Sequence, residues 1–128
     1  MNTAIQEAQR TLDTFITNFE SPKPSQTYFS VKAKFLYDTA NNNSENMWLI
    51  DISYQDGKFT GKLGNEPVYR KDLKLGDEVT IPVSSITDWM IIEDGKLIGG
   101  YTIRVLRDRM SPTEREEFDK GLDFLIED

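Results

Sequence analysis

Between Phe29 and Ile92 the chain repeats one pattern: short runs in which apolar and polar residues alternate, broken by turns rich in glycine, asparagine or proline. Side chains of a strand point to opposite faces in turn, so this period of two demands half-buried β-strands and excludes a helical bundle. Phe29, Val31, Ala33, Phe35 and Tyr37 alternate with Ser30, Lys32, Lys34 and Leu36, and mark a first strand from Tyr28. Asp38 to Glu45 reads as a polar loop. A second strand carries Trp48, Ile50, Ile52 and Tyr54 on one face and Leu49, Asp51 and Ser53 on the other. Asp56-Gly57 is a hairpin turn, Phe59 and Leu63 lie on a third strand, and Asn65-Glu66-Pro67 ends it. After the turn Leu75-Gly76-Asp77, Val79, Ile81 and Val83 form a fourth strand, which Pro82 assigns to a sheet edge or a bulge. Ile86 to Ile92 is the fifth strand, closed by the turn Glu93-Asp94-Gly95-Lys96.

Both ends read as helix. Ile5, Ala8, Leu12, Phe15, Ile16 and Phe19 recur at steps of three and four, which predicts one amphipathic helix over Thr3 to Phe19. Ser21-Pro22-Lys23-Pro24-Ser25 stops it, within a linker over residues 21–27. Docking on its own sheet is the expected role of this helix, ahead of docking in a partner groove. Thr102 to Met110 fits either regular structure: Ile103, Leu106 and Met110 have helical spacing, whereas Tyr101, Ile103 and Val105 alternate; the helix is preferred. Ser111-Pro112-Thr113-Glu114 is a capping box with proline in the first turn, and opens a last helix to about Lys120. Asp123 to Asp128 is read as one more turn or a frayed end. The expectation is a single α+β domain over residues 1–128: a five-stranded, mostly antiparallel, curved sheet or small barrel with helices at both ends.

Composition removes several chemistries. Among 128 residues there is no cysteine and no histidine, so disulfides, thiolate nucleophiles, His-containing triads and Cys- or His-ligated metals are excluded. No cofactor and no metal is expected, and the chain leans away from enzymes. The net charge of −7 is uneven: Tyr28 to Arg109 carries eleven basic and twelve acidic residues, whereas seven acids beyond Arg109 face only Arg115 and Lys120. MNTAIQEAQRTL has neither a basic start nor an apolar stretch, so it is not a signal peptide, and no apolar run reaches membrane length. A cytoplasmic location without membrane contact is the expectation.

Several strings act together as a signature: MW at Met47-Trp48, DGKFTGKLGNEP from Asp56 to Pro67, LKLGDEV from Leu73 to Val79, ITDWM from Ile86 to Met90, and DGKLIGGYTIRVLRDRM from Asp94 to Met110. Over about Phe29 to Met110 the chain resembles the YegJ-like bacterial family, domain of unknown function 2314. The resemblance implies no activity that can be carried over. It does single out Asn65, Pro67, Asp88, Trp89, Gly99, Gly100, Tyr101, Thr102 and Arg104 as matching the family signature.

Asn65, Asp88, Trp89, Tyr101, Thr102 and Arg104 are therefore the candidates for binding a ligand or partner. An Asp88–Arg104 pair with Trp89 as a stacking face would hold an anionic or planar ligand, or anchor a protein. The competing structural reading makes the pair buried, Trp89 core and the glycines a tight turn. Asn65 would either face a ligand or cap local backbone. An oxygen-only Mg²⁺ site from Asp88, Glu93 and Asp94 has no supporting spacing. Nucleic acid is not expected, because the alternation places the aromatics of the first two strands on the faces opposite Lys32 and Lys34. The leading expectation is a non-enzymatic protein-interaction module of immunity or adaptor type, with a protein partner that is basic enough to meet the acidic C-terminal segment. The alternative is a small-molecule-binding domain or weak enzyme around Asp88, Trp89, Tyr101 and Arg104.

Overall fold

The computed structural model describes residues 2–127. The elements run α1 (Asn2–Arg10), α2 (Leu12–Glu20), β1 (Gln26–Asp38), β2 (Asn43–Gln55), β3 (Lys58–Leu63), β4 (Glu78–Pro82), a 3-10 turn (Val83–Ser85), β5 (Ile86–Glu93), β6 (Lys96–Gly99), α3 (Tyr101–Asp108) and α4 (Pro112–Lys120). The α+β class stands, with an open antiparallel sheet of six strands in the order β4-β3-β2-β1-β5-β6. The sequence suggests five strands because β6 has four residues and buries only Leu97, too short for an alternation to show. Among the described residues no helix is long and apolar enough to cross a membrane.

The chain divides into two compact units, one made of the residues up to Phe29 with those from Asp88 onward, the other of Ser30–Thr87. In the first, Ala4, Ala8, Leu12 and Phe15 are buried, and the Phe15 ring lies 5.5 Å from that of Trp89 on β5. Every residue from Asp88 to Ile92 is buried. Burying a side chain such as Phe15 supplies roughly 1.5–3 kcal/mol, which is what holds the N-terminal helices to the strand. The single helix expected over Thr3 to Phe19 is two, interrupted at Thr11. Thr11 leaves helical geometry at φ −102° and ψ 5°, and its hydroxyl donates to the Glu7 carbonyl at 2.8 Å. Of the segment Asp123 to Asp128, read as one more turn or a frayed end, Asp128 lies outside the described residues, and the described part is tied to β6. Leu125 bridges in parallel to Lys96, donating its N–H to Gly95 O at 2.8 Å and accepting from Leu97 N at 2.9 Å, and Ile126 is buried.

In the second unit β1 and β2 are longer than the alternation suggests, because Asn43 to Asn46 pair with Asp38 to Lys34 despite their polarity. The register joins Val31 to Leu49, Ala33 to Met47 and Lys32 to Trp48. Met47 and Leu49 are thus the core residues of β2, together with Phe35, Phe59, Leu63 and Ile81. This corrects the faces assigned to β2: Trp48 shares its face with Lys32, whose Nζ lies 5.5 Å from the ring centroid. A bulge between Ile50 and Ser53, with Asp51 at φ 51°, breaks the strict alternation and moves Tyr54 onto the buried face with Phe59, away from Trp48 and Ile50. Pro82 ends β4 at the sheet edge, as its missing N–H requires.

Candidate functional site

The signature residues from Asp88 to Arg104 form one assembly in the first unit. Gly99 and Gly100 take φ values of 76° and 63°, so β6 turns directly into α3. A Cβ on Gly99 would stand 2.6 Å from both the Trp89 ring and the Trp89 carbonyl, so only glycine allows this approach. The turn brings the first N–H groups of α3 onto Asp88. Its carboxylate accepts from Trp89 N at 2.8 Å, Tyr101 N at 3.1 Å, Thr102 N at 2.9 Å and Thr102 Oγ1 at 2.5 Å. Asp88 is 0 % exposed and Trp89 2 %. A buried carboxylate at a helix N-terminus satisfies otherwise orphaned donors and meets the positive end of the helix dipole.

Trp89 completes the assembly from its other edge: Nε1 donates to Thr11 Oγ1 at 3.1 Å, and the Tyr101 hydroxyl lies 3.1 Å from the same oxygen. The rings of Trp89 and Tyr101 meet edge to face at 5.8 Å. Arg104 does not pair with Asp88. Its guanidinium donates to three carbonyls: Gly99 at 2.9 Å, Leu97 at 2.8 Å and Glu127 at 2.9 Å. The Asp88–Arg104 clamp considered from the sequence is therefore replaced by two separate devices, one capping α3 and one tying β6 to the C-terminal segment. Of the six candidates, Asp88, Trp89, Tyr101, Thr102 and Arg104 come together in this assembly. Asn65 belongs to the other unit, where its Oδ1 accepts from Trp48 N at 2.6 Å.

Sequence reasoning passed over a second feature, in the Ser30–Thr87 unit. Glu45 on β2 receives three successive N–H groups: Val68 at 3.0 Å on one oxygen, Tyr69 and Arg70 at 2.8 Å each on the other. Burial pushes the Glu45 carboxyl upward, but these N–H bonds and the Arg70 charge outweigh it and hold the group below its ordinary value. The loop so fixed presents Val68 and Tyr69 outward, 61 % and 57 % exposed. The Tyr69 ring stacks on Tyr37 at 4.4 Å and 13°, and Arg70 Nη1 donates to Leu36 O at 3.1 Å. Tyr37, Val68 and Tyr69 thus form an exposed apolar surface on an ordered scaffold. Nothing in the order of residues announces it, since Glu45 and Val68 meet only through folding.

A third feature is α4. Its Ser111–Glu114 capping box is complete, and the Ser111 bonds hold the Glu114 carboxyl low. The helix buries none of its residues. It is held by Arg107, which donates from Nε and Nη2 to Asp119 at 2.9 Å each and keeps that carboxyl below its usual range. Glu114, Glu116 and Glu117 face solvent. Among the described residues no group of three or more acidic side chains is arranged to hold a metal ion.

Residues 1–124 match the family described as an uncharacterized protein conserved in bacteria, DUF2314. The chain belongs to that family. The match takes in the N-terminal helices as well as the signature region, beyond the Phe29 to Met110 span that the motifs alone suggest. The uncharacterized protein YegJ of Escherichia coli K12 is 36 % identical over 103 residues, 80 % of this chain and 64 % of that protein. A putative ankyrin repeat protein of Neisseria meningitidis serogroup B is 40 % identical over 98 residues, 73 % of this chain and 38 % of that protein. The matched region thus spans less than two thirds of either curated relative. No solved structure matches the chain.

Proposed function

We propose that this DUF2314 chain is a non-enzymatic protein-interaction module of immunity or adaptor type, located in the cytoplasm, and that it meets its partner through Tyr37, Val68 and Tyr69. The observation that carries the reading is the stacked Tyr37–Tyr69 pair beside exposed Val68, on a loop locked by three N–H bonds to Glu45. Rigid tyrosines with an adjacent arginine are the residue types that concentrate binding energy in protein interfaces, and pre-organisation limits the ordering cost of association. The exposed acids of α4 give the partner its second property: a basic surface attracted at long range. The competing reading, a small-molecule site or weak enzyme at Asp88, Trp89, Tyr101 and Arg104, has less support. Both oxygens of Asp88 are occupied by backbone and hydroxyl donors, and Arg104 faces carbonyls.

The test is capture of partners from native bacterial lysate on immobilised wild type, on Tyr37→Ser/Tyr69→Ser, and on Glu114→Gln/Glu116→Gln/Glu117→Gln. Truncating the acidic segment is the wrong perturbation, because it would also strip Leu125 and Glu127 from β6 and Arg104. A stoichiometric partner lost from the tyrosine variant, and captured more slowly by the glutamine variant, is the expected result. A wild-type profile on the tyrosine variant, or no stoichiometric partner on any of the three, rejects the reading.

A further inference from the structure

β6 is an end strand of the sheet, and an end strand offers its outward N–H and C=O groups to any extended chain. Here those groups are taken by residues of the same chain. Leu125 N–H donates to Gly95 O at 2.8 Å, and Leu97 N–H donates to Leu125 O at 2.9 Å, the slanted pattern of a parallel strand. Beyond this pair Arg104 takes the place of main chain. Its guanidinium donates to Leu97 O and Gly99 O on the edge and to Glu127 O on the added segment. Side chains of the segment alternate as in a strand. Ile126 and Leu97 lie on the buried side, 7 % and 3 % exposed, whereas Leu125 and Glu127 share the outer side with Lys96, whose Nζ is 3.4 Å from Glu127 Oε1.

The segment is lightly anchored. From Ser111 to Glu127 only Ile126 is buried, and α4 meets α3 through polar bonds, from Arg107 to Asp119 and from Arg115 to Asp108 O. A contact made of two main-chain bonds, the Arg104 bond, an exposed ion pair and one buried side chain opens locally more readily than the buried strand β5 beside it. Once open, the edge retains every group that held the segment: Gly95 O, Leu97 N–H, the Arg104 fork, Lys96 and the place beside Leu97. Main-chain bonds are blind to sequence, so selection falls to two neighbouring positions of the added chain. The position of Ile126 takes an apolar residue, and the position of Glu127 takes an acid facing Lys96.

We propose that the outer edge of β6 is a strand-addition site for an extended segment of another protein, in which an apolar residue is followed directly by an acidic one, and that Leu125–Glu127 is a resident strap which such a segment displaces. Pairing to a free sheet edge is a general mode of peptide recognition, with main-chain bonds for affinity and alternate side chains for specificity. Until displaced, the strap keeps the edge from pairing with unsuited chains. A second copy brings only the segment that its own edge already holds, so exchange between copies gains no contact, whereas a foreign segment with a better-fitting pair does. The inference goes beyond the Tyr37–Tyr69 reading and uses a surface of the other unit.

The probe is a fluorescein-labelled peptide Asp-Phe-Leu-Ile-Glu, blocked at both ends and copying residues 123–127, titrated by anisotropy into full-length wild type, Ile126→Asp and Leu125→Pro. Both substitutions loosen the strap and leave β6 and Arg104 unchanged. Expected is saturable binding at least about tenfold tighter on either variant than on wild type, where the strap competes. An unrelated peptide that keeps only the apolar–acidic pair, Ser-Thr-Ala-Val-Asp, binds within about tenfold of the first, because main-chain bonds supply most of the contact. Methylating the main-chain nitrogen of the peptide leucine removes the N–H that Gly95 O accepts, and abolishes binding. In wild type, saturating peptide speeds amide exchange at Leu125 while Leu97 stays protected; this readout alone decides where both variants fail to fold. No binding to the folded variants, binding that survives the methylation, or binding with Leu125 protection unchanged overturns the proposal. Binding confined to the first peptide, with a concentration-dependent dimer of wild type in light scattering, also overturns it and assigns the edge to a second copy. Tyr37→Ser/Tyr69→Ser leaves the titration unchanged, which separates its outcome from that of the partner capture.

Discussion

Asp88→Asn separates an architectural carboxylate from a functional one. The substitution keeps the size of the side chain and one accepting oxygen, which retains the bonds from Trp89 N and Tyr101 N. The other oxygen becomes an NH₂ facing Thr102 N, a donor now without an acceptor; the Thr102 hydroxyl can turn to accept instead. An orphaned buried N–H costs about 1–3 kcal/mol, and loss of negative charge at a helix N-terminus about 0.3–2 kcal/mol. The sum is about 1–5 kcal/mol, or on the order of 10 °C in Tm for a chain of this size. Asp88→Ala orphans three N–H groups and is expected to cost about 4 kcal/mol or more. Thr102→Ser, which keeps the hydroxyl bonded to Asp88, stays within about 1 kcal/mol. Urea denaturation followed by tryptophan fluorescence measures all three. An Asp88→Asn protein as stable as the wild type, or more so, refutes the reasoning: the carboxylate would then be held against stability, the mark of a group kept for chemistry.

Gly99→Ala combines a positive φ of 76° with a Cβ placed 2.6 Å from Trp89, so a loss of about 3 kcal/mol or more is expected in the same denaturation assay. Glu45 gives a pH dependence with a definite sign. Its folded value lies below the ordinary 4.5, so its contribution is complete above 4.5 and is lost as pH falls through the lower, folded value. Amide exchange and chemical shifts of Val68, Tyr69 and Arg70 should report release of the loop in that acid window, and Glu45→Gln should show the released state near neutral pH. Arg107→Ala removes the paired bonds to Asp119 that hold a helix with no buried residue, so α4 amides should exchange at least about tenfold faster while those of β5 keep their protection.

The strands with strict alternation, the Asp56-Gly57 hairpin, the edge position of Pro82 and the capped α4 were legible because each rests on local chemistry. The preference for helix over strand at Thr102 to Met110 also held over α3, where the Asp88 cap and the two glycines start the helix. What escaped the sequence depends on pairing at a distance. The bulge at Asp51 shifted the faces of β2, β6 was too short to show a period, and the stop at Thr11 depends on its bonds to Glu7 and Trp89. Five of the six candidate residues lie together around Asp88 and Asn65 lies apart, but the part each plays was not readable: aspartate beside a Trp and an Arg suggests an ion pair until the backbone brings Tyr101 and Thr102 onto the carboxylate. The Tyr37–Tyr69 surface had no sequence signal, since its foundation is one glutamate meeting three amides across more than twenty residues.

The most direct test of the account is site-specific photocrosslinking in native lysate, with a benzophenone side chain placed in turn at Val68 and at Leu75. Both positions are exposed apolar residues of the same unit, at 61 % and 59 %, but only Val68 adjoins the Tyr37–Tyr69 stack. The account predicts a discrete adduct from Val68 that disappears when Tyr37→Ser is added, and none from Leu75. Equal adducts from both positions, or an adduct from Leu75 alone, would contradict it.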